Sequence, residues 1–278
     1  MTVVDASEIE LVVTDLDGSL WDSSCTLHPE TTTTLKWLAQ RDLPLLVATG
    51  RRRISASRPL DAVGLDSLPR VLLNGTLGID GAEVFHKTCF EADHVASILD
   101  AFADADHVPC AYVDHDEVDV YCTAEPTTSL RHRTMLDKAI TIGDRDTLLS
   151  AHDVVGFSIL GVSPDLLESV AAVIESSRIG EAVWYGDDIY GGYSLMVAPP
   201  GVSKWTGILA YCERNDIDPT RVAAVGDANN DLEMLHEARV SFVASNGSTE
   251  ARALADVIVD PPTGGGWQEI RRTLHEMV

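Results

Sequence analysis

Two carboxylates, one residue apart, follow the first apolar stretch of the chain. Asp15 and Asp17 lie in the segment DLDGSL, directly after IELVVT. Side chains at positions i and i+2 share one face of a strand, so two ionised carboxylates repel each other unless a cation lies between them or one is protonated. A hard cation such as Mg²⁺ would relieve this repulsion. The spacing therefore indicates chemistry at a strand end, and solvated aspartates at a polar strand end are the alternative.

A second group of carboxylates occurs in the segment VGDANNDLEML. The run 222–225 is strand-like, and Asp227 and Asp231 bracket the start of the helix predicted after it. Asn230 or Asp231 could serve only as the cap of that helix. If both strands belong to one parallel sheet, however, their carboxyl ends meet at the same edge, where ligands gather. A third carboxylate could then complete the oxygen ligands of one Mg²⁺.

The segment VATGR follows another apolar strand and contains Thr49 and Gly50. A small hydroxyl and the free N–H groups at the start of a helix suit a phosphate oxygen. A plain strand-to-helix turn is the alternative interpretation.

Lys204 is one of only four lysines, and it lies in the segment PGVSKWTGI. The pattern places it in the first turn of a helix, with Ser203 as a candidate N-cap. A cation at that end opposes the helix dipole. We therefore expect Lys204 to have an anion or a carboxylate as its partner, in preference to being an ordinary surface lysine.

The elements around these segments predict an α/β fold. Strand-like and helix-like segments alternate at both ends of the chain, which is typical of a doubly wound, mostly parallel sheet. A hairpin is predicted over 77–84, turning at Asp80-Gly81, and the stretch after it mixes strands and helices in the manner of an α+β domain. We therefore predict a core formed by 1–82 and 191–278, with an inserted domain at 83–190.

Composition argues against several classes of partner. The chain has 278 residues, is 45% hydrophobic and carries a net charge of −24. Such a charge repels nucleic acids and anionic membrane faces, so we expect neither as a partner. No apolar run reaches the ~18 residues of a membrane span, and the acidic N-terminus does not resemble a signal peptide. These features predict a cytoplasmic protein, and they leave the oligomeric state open.

The cysteines and histidines suggest no further metal site. The five cysteines show no CxxC spacing, so we expect small buried side chains and neither a disulfide framework nor a zinc site. None of His94, His115, His132 and His236 pairs with another histidine four residues away, and HExxH is absent. We expect them at the surface or in the inserted domain, with His115 and His132 as candidates for substrate contacts.

The order DLDGSL, VATGR, Lys204 and GDANND resembles the haloacid dehalogenase superfamily. The long insertion after the second motif is most similar to that of its Cof-type sugar-phosphatase branch. The resemblance implies a Rossmann-like core with a cap domain that selects the substrate. Two departures are mild: Ser19 stands where Thr is common, and Trp21 stands where a smaller apolar residue is usual.

The resemblance also implies roles for the carboxylates. Asp15 matches the nucleophile that attacks phosphorus, and Asp17 matches the residue that protonates the leaving oxygen and then activates water. Mg²⁺ would be held by Asp15, the backbone carbonyl of Asp17 and Asp227, with Asp231 supporting these ligands from behind.

By the same resemblance, a further set of residues matches positions that face the substrate or its phosphoryl group. Thr49 and Lys204 would also take part in catalysis, because positive charge and donors on the equatorial oxygens stabilise the transition state of phosphoryl transfer. The set comprises Thr49, Gly50, Asn74, Gly75, Lys204 and Asn230. For Asn74-Gly75, a simple tight turn is the alternative.

The function predicted from the sequence is a Mg²⁺-dependent phosphatase. Its substrate would be a small phosphomonoester, a sugar phosphate or a related metabolite, hydrolysed through a phosphoaspartate. A phosphomutase of the same superfamily is an alternative within enzymes. A phosphate-binding regulatory protein without turnover is a third interpretation, which the presence of Asp17 beside Asp15 disfavours.

Overall fold

The computed structural model describes residues 9–115, 118–151, 153–186 and 190–275. The chain forms two compact units, and each is described by itself. The first, called the core unit below, contains the described residues of Met1–Gly50, Ser57–His86 and Lys204–Val278. The second unit contains Arg51–Ala56 and the described residues of Lys87–Ser203.

Strands and helices alternate along most of the chain. The strands are β1 (Leu11–Thr14), β2 (Leu45–Ala48), β3 (Arg70–Leu72), β4 (Leu77–Asp80), β5 (Glu83–Lys87), β6 (Cys110–Val113), β7 (Val120–Cys122), β8 (Ile140–Ile142), β9 (Val154–Val162), β10 (Glu181–Gly186), β11 (Tyr193–Ala198), β12 (Val222–Gly226), β13 (Val240–Ala244) and β14 (Val257–Val259). The helices are α1 (Pro29–Ala39), α2 (Arg53–Ala62), α3 (Ala92–Asp104), α4 (Leu130–Leu136), α5 (Arg145–Ala151), α6 (Pro164–Ser177), α7 (Lys204–Arg214), α8 (Leu232–Glu237), α9 (Thr249–Leu254) and α10 (Trp267–His275).

The core unit is built on an eight-stranded sheet in the order β14-β13-β12-β1-β2-β3-β4-β5. The pairs from β14 to β3 are parallel, whereas β4 is antiparallel to β3. β1, β2, β12 and β13 are buried along their whole length, because a parallel sheet covered on both faces needs continuous apolar strands. The predicted α/β fold with a mostly parallel sheet is confirmed.

The second unit has its own six-stranded sheet, in the order β10-β11-β9-β6-β7-β8. Its neighbouring strands are antiparallel except for the parallel pair of β7 with β8. A separate apolar cluster lies against this sheet and includes Phe102 and Phe157, which are fully buried. Sheet and helices alternate irregularly here, so the unit has the α+β character that the sequence predicted for the insertion.

The boundaries of the second unit differ from the predicted 83–190. β5 begins at Glu83 and extends the core sheet beside β4, so 83–86 remain with the core unit. β11 pairs with both β9 and β10, so the second unit continues to Ser203. In both places, a strand pairs with neighbours on the other side of the boundary that was predicted from the sequence, so the boundary moves. The role of the insertion in substrate selection stays a prediction.

Cysteines and membrane-spanning helices need only brief description. Cys110, Cys122 and Cys212 are buried as predicted, whereas Cys25 and Cys89 are partly exposed. In the part of the chain that the structure describes, no helix combines the length and the apolar character required to cross a membrane.

α10 is hydrogen-bonded to the loop that follows β1. Trp267, in the first turn of α10, is almost fully buried and donates from its indole Nε1 to the carbonyl oxygen of Ser19 at 2.9 Å. The backbone oxygen of Trp267 accepts a bond from Thr34 Oγ1 at 2.8 Å, which joins α10 to α1. A residue near the end of the chain thus supports the turn that carries Asp17.

We expect Trp267→Phe to lower the free energy of unfolding by about 1–3 kcal/mol, because the buried Ser19 carbonyl would lose its donor. Urea unfolding followed by circular dichroism measures this. Trp37→Phe is the matched control, since that ring is only partly buried. Equal effects of the two substitutions would contradict this role for the Trp267 hydrogen bond.

Candidate active site

The ends of β1 and β12 bring the two carboxylate segments together. These strands pair in parallel with Thr14 opposite Val225, and the N–H of Asp15 donates to the carbonyl oxygen of Val225 at 2.9 Å. Both chain segments then leave the sheet at its carboxyl edge, where ligands bind in open α/β sheets. The register therefore places Asp15 beside the loop that contains Asp227 and Asp231.

Asp15, Asp227 and Asp231 form one acidic cluster. A carboxylate oxygen from each lies within 4.8 Å of the others. Asp231 is fully buried and Asp15 is nearly so. Asp227 is only partly buried. Three carboxylates this close, two of them buried, repel one another strongly unless cations are present.

Lys204 supplies one of those cations. Its Nζ donates to Asp15 Oδ1 and to Asp231 Oδ1, both at 2.6 Å, and its side chain is fully buried. Lys204 is the first residue of α7, where the backbone dipole disfavours a cation, so the two carboxylates offset that local cost. The carboxylate partner that the sequence suggested for Lys204 is present, in the form of two aspartates.

Asp231 also organises the loop before α8. Its Oδ2 accepts bonds from the N–H groups of Asp227 and Ala228, both at 2.9 Å, while its Oδ1 accepts from Lys204. Gly226 allows this close approach, because a Cβ there would lie only 2.8 Å from the Cβ of Asp231. Asp231 therefore binds the backbone ahead of its helix, as a capping residue does, and belongs to the acidic cluster as well.

Asp227 is held from the opposite side by the DLDGSL turn. Ser19 Oγ donates to Asp227 Oδ1 at 2.8 Å. Gly18 has a positive φ of 87°, and a Cβ at that position would lie 2.2 Å from Asp227 Oδ2. Any larger residue at 18 would be strained and would collide with the carboxylate. The turn thus requires glycine for two independent reasons.

Asp17 has a partner that the sequence interpretation missed. The indole Nε1 of Trp21 donates to Asp17 Oδ1 at 3.2 Å, and the ring of Trp21 is fully buried. The N–H of Gly18 also donates to the backbone oxygen of Trp21 at 2.8 Å. Trp21 therefore both closes the turn and orients the second aspartate. The spacing of four residues was visible in the sequence, but nothing there indicated that the chain folds back on itself.

Burial and mutual repulsion raise the pKa values of two of the carboxyls. Desolvation, only partly offset by Lys204, raises the pKa of Asp15 to about 7. Desolvation, together with the charges of Asp231 and Asp15, raises the pKa of Asp227 to about 8. Burial alone would lower the pKa of Lys204, but Asp15 and Asp231 raise it above its ordinary value. Lys204 therefore carries a positive charge. This single charge is outnumbered by the three carboxylates of the cluster.

The remaining predicted phosphate-binding residues lie in the core unit. Asn230 Nδ2 donates to Asn74 Oδ1 at 2.9 Å, which joins the loop after β12 to the loop after β3. The N–H of Asn74 donates to the carbonyl oxygen of Thr49 at 3.1 Å. Thr49 is buried and Gly50 is partly buried at the end of β2, and Gly75 follows Asn74. These contacts connect Thr49, Asn74 and Asn230, and their roles toward a substrate remain predictions.

Asn74-Gly75 forms a tight turn of unusual backbone geometry. Leu73, Asn74 and Gly75 all have positive φ, at 52°, 56° and 110°. Gly207 of α7 allows close packing against this turn, since a Cβ there would lie 3.1 Å from the backbone oxygen of Gly75. The predicted turn is therefore present, and the helix that carries Lys204 is packed against it.

The helix that follows Thr49 starts a short distance beyond the VATGR segment. α2 begins at Arg53, not directly after the VATGR glycine. Within the second unit, the N–H of Ile54 donates to Asp119 Oδ2 at 3.2 Å, and Arg52 forms a buried ion pair with Asp119. The N–H of Ile54, at the start of α2, is thus already hydrogen-bonded to a carboxylate of the protein. Phosphate binding by Thr49 and Gly50 stays a prediction.

The histidine predictions concern the second unit in part. His132 is buried and hydrogen-bonded to Thr128 Oγ1 at 2.8 Å. Burial, with a smaller contribution from Arg52, lowers the pKa of His132 to about 4, so it is neutral at physiological pH. His115 accepts a bond from the N–H of Val118. A role for either residue in substrate contact stays a prediction.

The acidic cluster suits a divalent cation that prefers oxygen ligands. Its members are carboxylates, without sulfur or imidazole ligands, which is the ligand type of Mg²⁺. The raised pKa values of Asp15 and Asp227 show that this arrangement costs free energy when both are ionised without additional positive charge. A bound cation would remove that cost, so the residues present fit such an ion.

Comparison with known proteins agrees with this geometry. A sequence model of the haloacid dehalogenase-like hydrolases matches residues 12–266. The phosphoglycolate phosphatase of Methanopyrus kandleri is 24% identical over 269 residues, which cover 96% of this chain and 98% of that protein. The chloroplastic endoribonuclease YBEY of Arabidopsis thaliana is 29% identical over 268 residues, 88% of this chain. The match covers only 43% of YBEY, so this chain spans less than half of that relative.

Solved structures show the same fold. A phosphatase of the haloalkanoate enzyme superfamily from Bacteroides thetaiotaomicron superposes with a TM-score of 0.80, covering 97% of this chain and 96% of that one. Its sequence identity is 18%, so this likeness concerns the fold alone. Because the family model matches most of the chain, the protein belongs to the haloacid dehalogenase-like hydrolases, as the order of its motifs predicted.

Proposed function

We propose that the protein is a Mg²⁺-dependent phosphatase that hydrolyses a small phosphomonoester through a phosphoaspartate on Asp15. The observation that carries the proposal is the cluster of Asp15, Asp227 and Asp231, with oxygens within 4.8 Å and Lys204 bonded to two of them. Asp17 follows Asp15 after one intervening residue, as in the superfamily motif that this segment resembles. Membership of a hydrolase family and relatives named as phosphatases support the same activity.

In the first step, an oxygen of Asp15 bonds to phosphorus as the bond to the leaving oxygen breaks. Lys204 holds Asp15 at 2.6 Å and favours its ionised, nucleophilic form. Asp17 gives its proton to the leaving oxygen, and the hydrogen bond from Trp21 fixes the position of its carboxyl group. The products of this step are the free alcohol and the phosphorylated Asp15.

In the second step, Asp17, now ionised, takes a proton from a water molecule. The oxygen of that water bonds to phosphorus, and the bond between phosphorus and Asp15 breaks. Inorganic phosphate leaves, Asp15 is again a carboxylate and Asp17 is again protonated. One aspartate thus serves as nucleophile and leaving group, while its neighbour serves as acid and then as base.

Asp15, Asp227 and the backbone carbonyl of Asp17 would hold Mg²⁺, and Asp231 would orient them through Lys204 and the loop backbone. When bound, the ion supplies positive charge that offsets the negative charge of the carboxylates and of the phosphoryl group. Thr49, Asn230 and Lys204 would contact the oxygens of the phosphoryl group during transfer, as positioned donors stabilise such a transition state.

The substrate class is proposed from chemistry and relatives together. A net charge of −24 disfavours polyanions such as nucleic acids, and a small phosphate ester suits the proposed transfer of one phosphoryl group. Sugar phosphates and related metabolites therefore remain the proposed class. Phosphoglycolate belongs on the test panel because it appears in the names of relatives.

The proposal is tested by phosphate release from sugar phosphates, nucleotides and phosphoglycolate, with Mg²⁺ or with EDTA. We expect Mg²⁺-dependent turnover that falls at least ~1,000-fold in Asp15→Asn, since the amide is a poor nucleophile. Asp17→Asn should lose at least ~100-fold through loss of acid–base catalysis. Asp61→Asn, an exposed aspartate of α2, is the control and should retain full activity.

Two outcomes would contradict the proposal. Turnover that survives in Asp15→Asn would exclude that residue as the nucleophile. The absence of phosphate release from every substrate would favour a phosphomutase or a binding protein without turnover. Transfer of an isotope-labelled phosphoryl group between two hydroxyls of a sugar phosphate would then identify a mutase.

The positioning role of Trp21 predicts an effect that depends on the leaving group. Trp21→Phe removes the donor to Asp17, so kcat/KM for an alkyl phosphate should fall about 10-fold. The loss should be clearly smaller for p-nitrophenyl phosphate, whose leaving group hardly needs a proton. Equal losses with both substrates would indicate a purely structural role for Trp21.

The raised pKa values predict how stability depends on pH. The carboxyls of Asp15 and Asp227 have ordinary values of 3.8 and titrate at about 7 and about 8 in the folded protein. The folded state therefore binds more protons than the unfolded chain between about pH 4 and pH 8, and stability falls as pH rises through this window. In EDTA, the free energy of unfolding should decrease by several kcal/mol from pH 5 to pH 8, since each unit of raised pKa that falls in this window is worth about 1.4 kcal/mol.

Urea unfolding at several pH values measures this slope. Asp227→Asn should flatten it, Asp61→Asn should leave it unchanged, and Mg²⁺ should restore stability at pH 8 by binding the folded state. The assignment would be wrong if the native protein and Asp227→Asn had the same slope.

A further inference from the structure

A pocket lies on the core unit, between α1 and α10. Its volume is about 480 Å³, within the range of small-molecule sites. The residues that line it include Lys36 and Trp37 from α1, and Arg271, Arg272 and His275 from α10. Neither its location nor its residues are used by the proposed phosphatase reaction.

The topology separates this pocket from the acidic cluster. α1 runs from the carboxyl end of β1 back toward the amino end of β2, which begins at Leu45. Lys36 lies in the last turn of α1, so it lies toward the amino edge of the sheet. Asp15 and Asp227 lie at the carboxyl edge. The two sites are therefore at opposite edges of one sheet.

The charge of the pocket contrasts with that of the chain. The whole chain has only 20 lysines and arginines against 44 acidic residues, and only four of the basic residues are lysines. Three cationic side chains and an imidazole nevertheless line this single pocket. Arg271 is paired with Glu30 at 3.3 Å, whereas Lys36 and Arg272 have no carboxylate partner within the described ranges. Like charges brought together in this way favour the binding of an anion.

Trp37, which lines the pocket, holds a further cationic side chain nearby. The guanidinium of Arg41 lies over the ring of Trp37 at 4.3 Å, and the ring of His275 meets Trp37 edge-on at 6.3 Å. The indole thus supports Arg41 beside the pocket through a cation–π contact. Together with Lys36 and the arginines of α10, this arrangement gathers positive charge from two different helices.

Helix dipoles explain only part of this arrangement. Lys36 and Arg272 each lie in the last turn of a helix, where a cation is favoured by the backbone dipole. That effect accounts for one basic residue at each helix end. It does not explain why the ends of α1 and α10 meet at the same pocket, or why Arg41 lies over Trp37 there.

We propose that this pocket binds a small phosphorylated anion that carries at least two negative charges. One arginine guanidinium group can donate two parallel hydrogen bonds to two oxygens of a phosphate, and Lys36 adds a further positive charge. Diphosphates therefore suit the site better than monoanions. The ligand is either an inorganic diphosphate or an organic one such as a nucleoside diphosphate. Binding here requires no metal ion, unlike binding at the acidic cluster.

The proposal is tested by isothermal titration calorimetry of the full chain with pyrophosphate and with ADP, at low salt and in EDTA. EDTA keeps the acidic cluster free of divalent ions, so that its carboxylates repel both probes. We expect Arg272→Glu and Lys36→Glu each to raise Kd by about 10-fold or more, since each replaces a charge-assisted contact with a repulsive one. Arg252→Glu is the matched control, because Arg252 is an exposed arginine in the last turn of α9.

The outcomes separate the ligand sources and the possible failures. Binding of both probes indicates recognition of the diphosphate itself, and binding of ADP alone indicates that the organic part is also recognised. The site is excluded if neither probe binds at millimolar concentration. It is also excluded if Arg252→Glu weakens binding as much as Arg272→Glu, because the effect would then come from net charge. Phosphatase activity in Mg²⁺ should be retained in all three variants, so failure here is distinguishable from failure of the proposed function.

Discussion

The rest of the candidate site depends on the buried ion pairs of Lys204. Its ammonium group bonds Asp15, 189 positions away in sequence, and Asp231, 27 positions away. It therefore joins the end of β1, the start of α7 and the start of α8 in one place. Removing one partner from such a buried pair typically costs 3–5 kcal/mol, because an uncompensated charge is left behind. The two parts of the core unit that flank the insertion are thus connected by charge as well as by strand pairing.

Small residues make this concentration of charge sterically feasible. Gly18 and Gly226 each lie where a Cβ would collide with an aspartate of the cluster, and Gly207 brings α7 close to the turn after β3. The carboxylates can therefore approach both one another and the backbone N–H groups that orient them. Burial of the cluster follows from this close packing, and the raised pKa values of Asp15 and Asp227 follow from the burial.

Much of the fold and the positions of the carboxylates could be predicted because they rest on local patterns. Apolar runs such as LVVT and VAAVG indicate buried parallel strands, and Asp15 and Asp227 directly follow two of them. Contacts between distant segments could not be predicted in this way. The hydrogen bonds from Trp21 to Asp17 and from Trp267 to Ser19 depend on how loops close, and the limits of the second unit depend on the pairing of β11.

The acidic cluster and the basic pocket place opposite electrostatic demands on an anionic ligand. At the cluster, three carboxylates outnumber one lysine, which is bonded to two of them, so an approaching phosphate would meet net negative charge in the absence of a divalent cation. At the pocket, cations from α1 and α10 outnumber Glu30, the carboxylate paired with Arg271 in the described part of the chain, so the proposed anion would need no metal. Because exposed charges are screened by salt more strongly than buried ones, binding at the pocket should weaken with ionic strength more steeply than binding at the cluster. If both proposals hold, one chain of high negative charge has two anion sites that respond differently to metal ions and to salt.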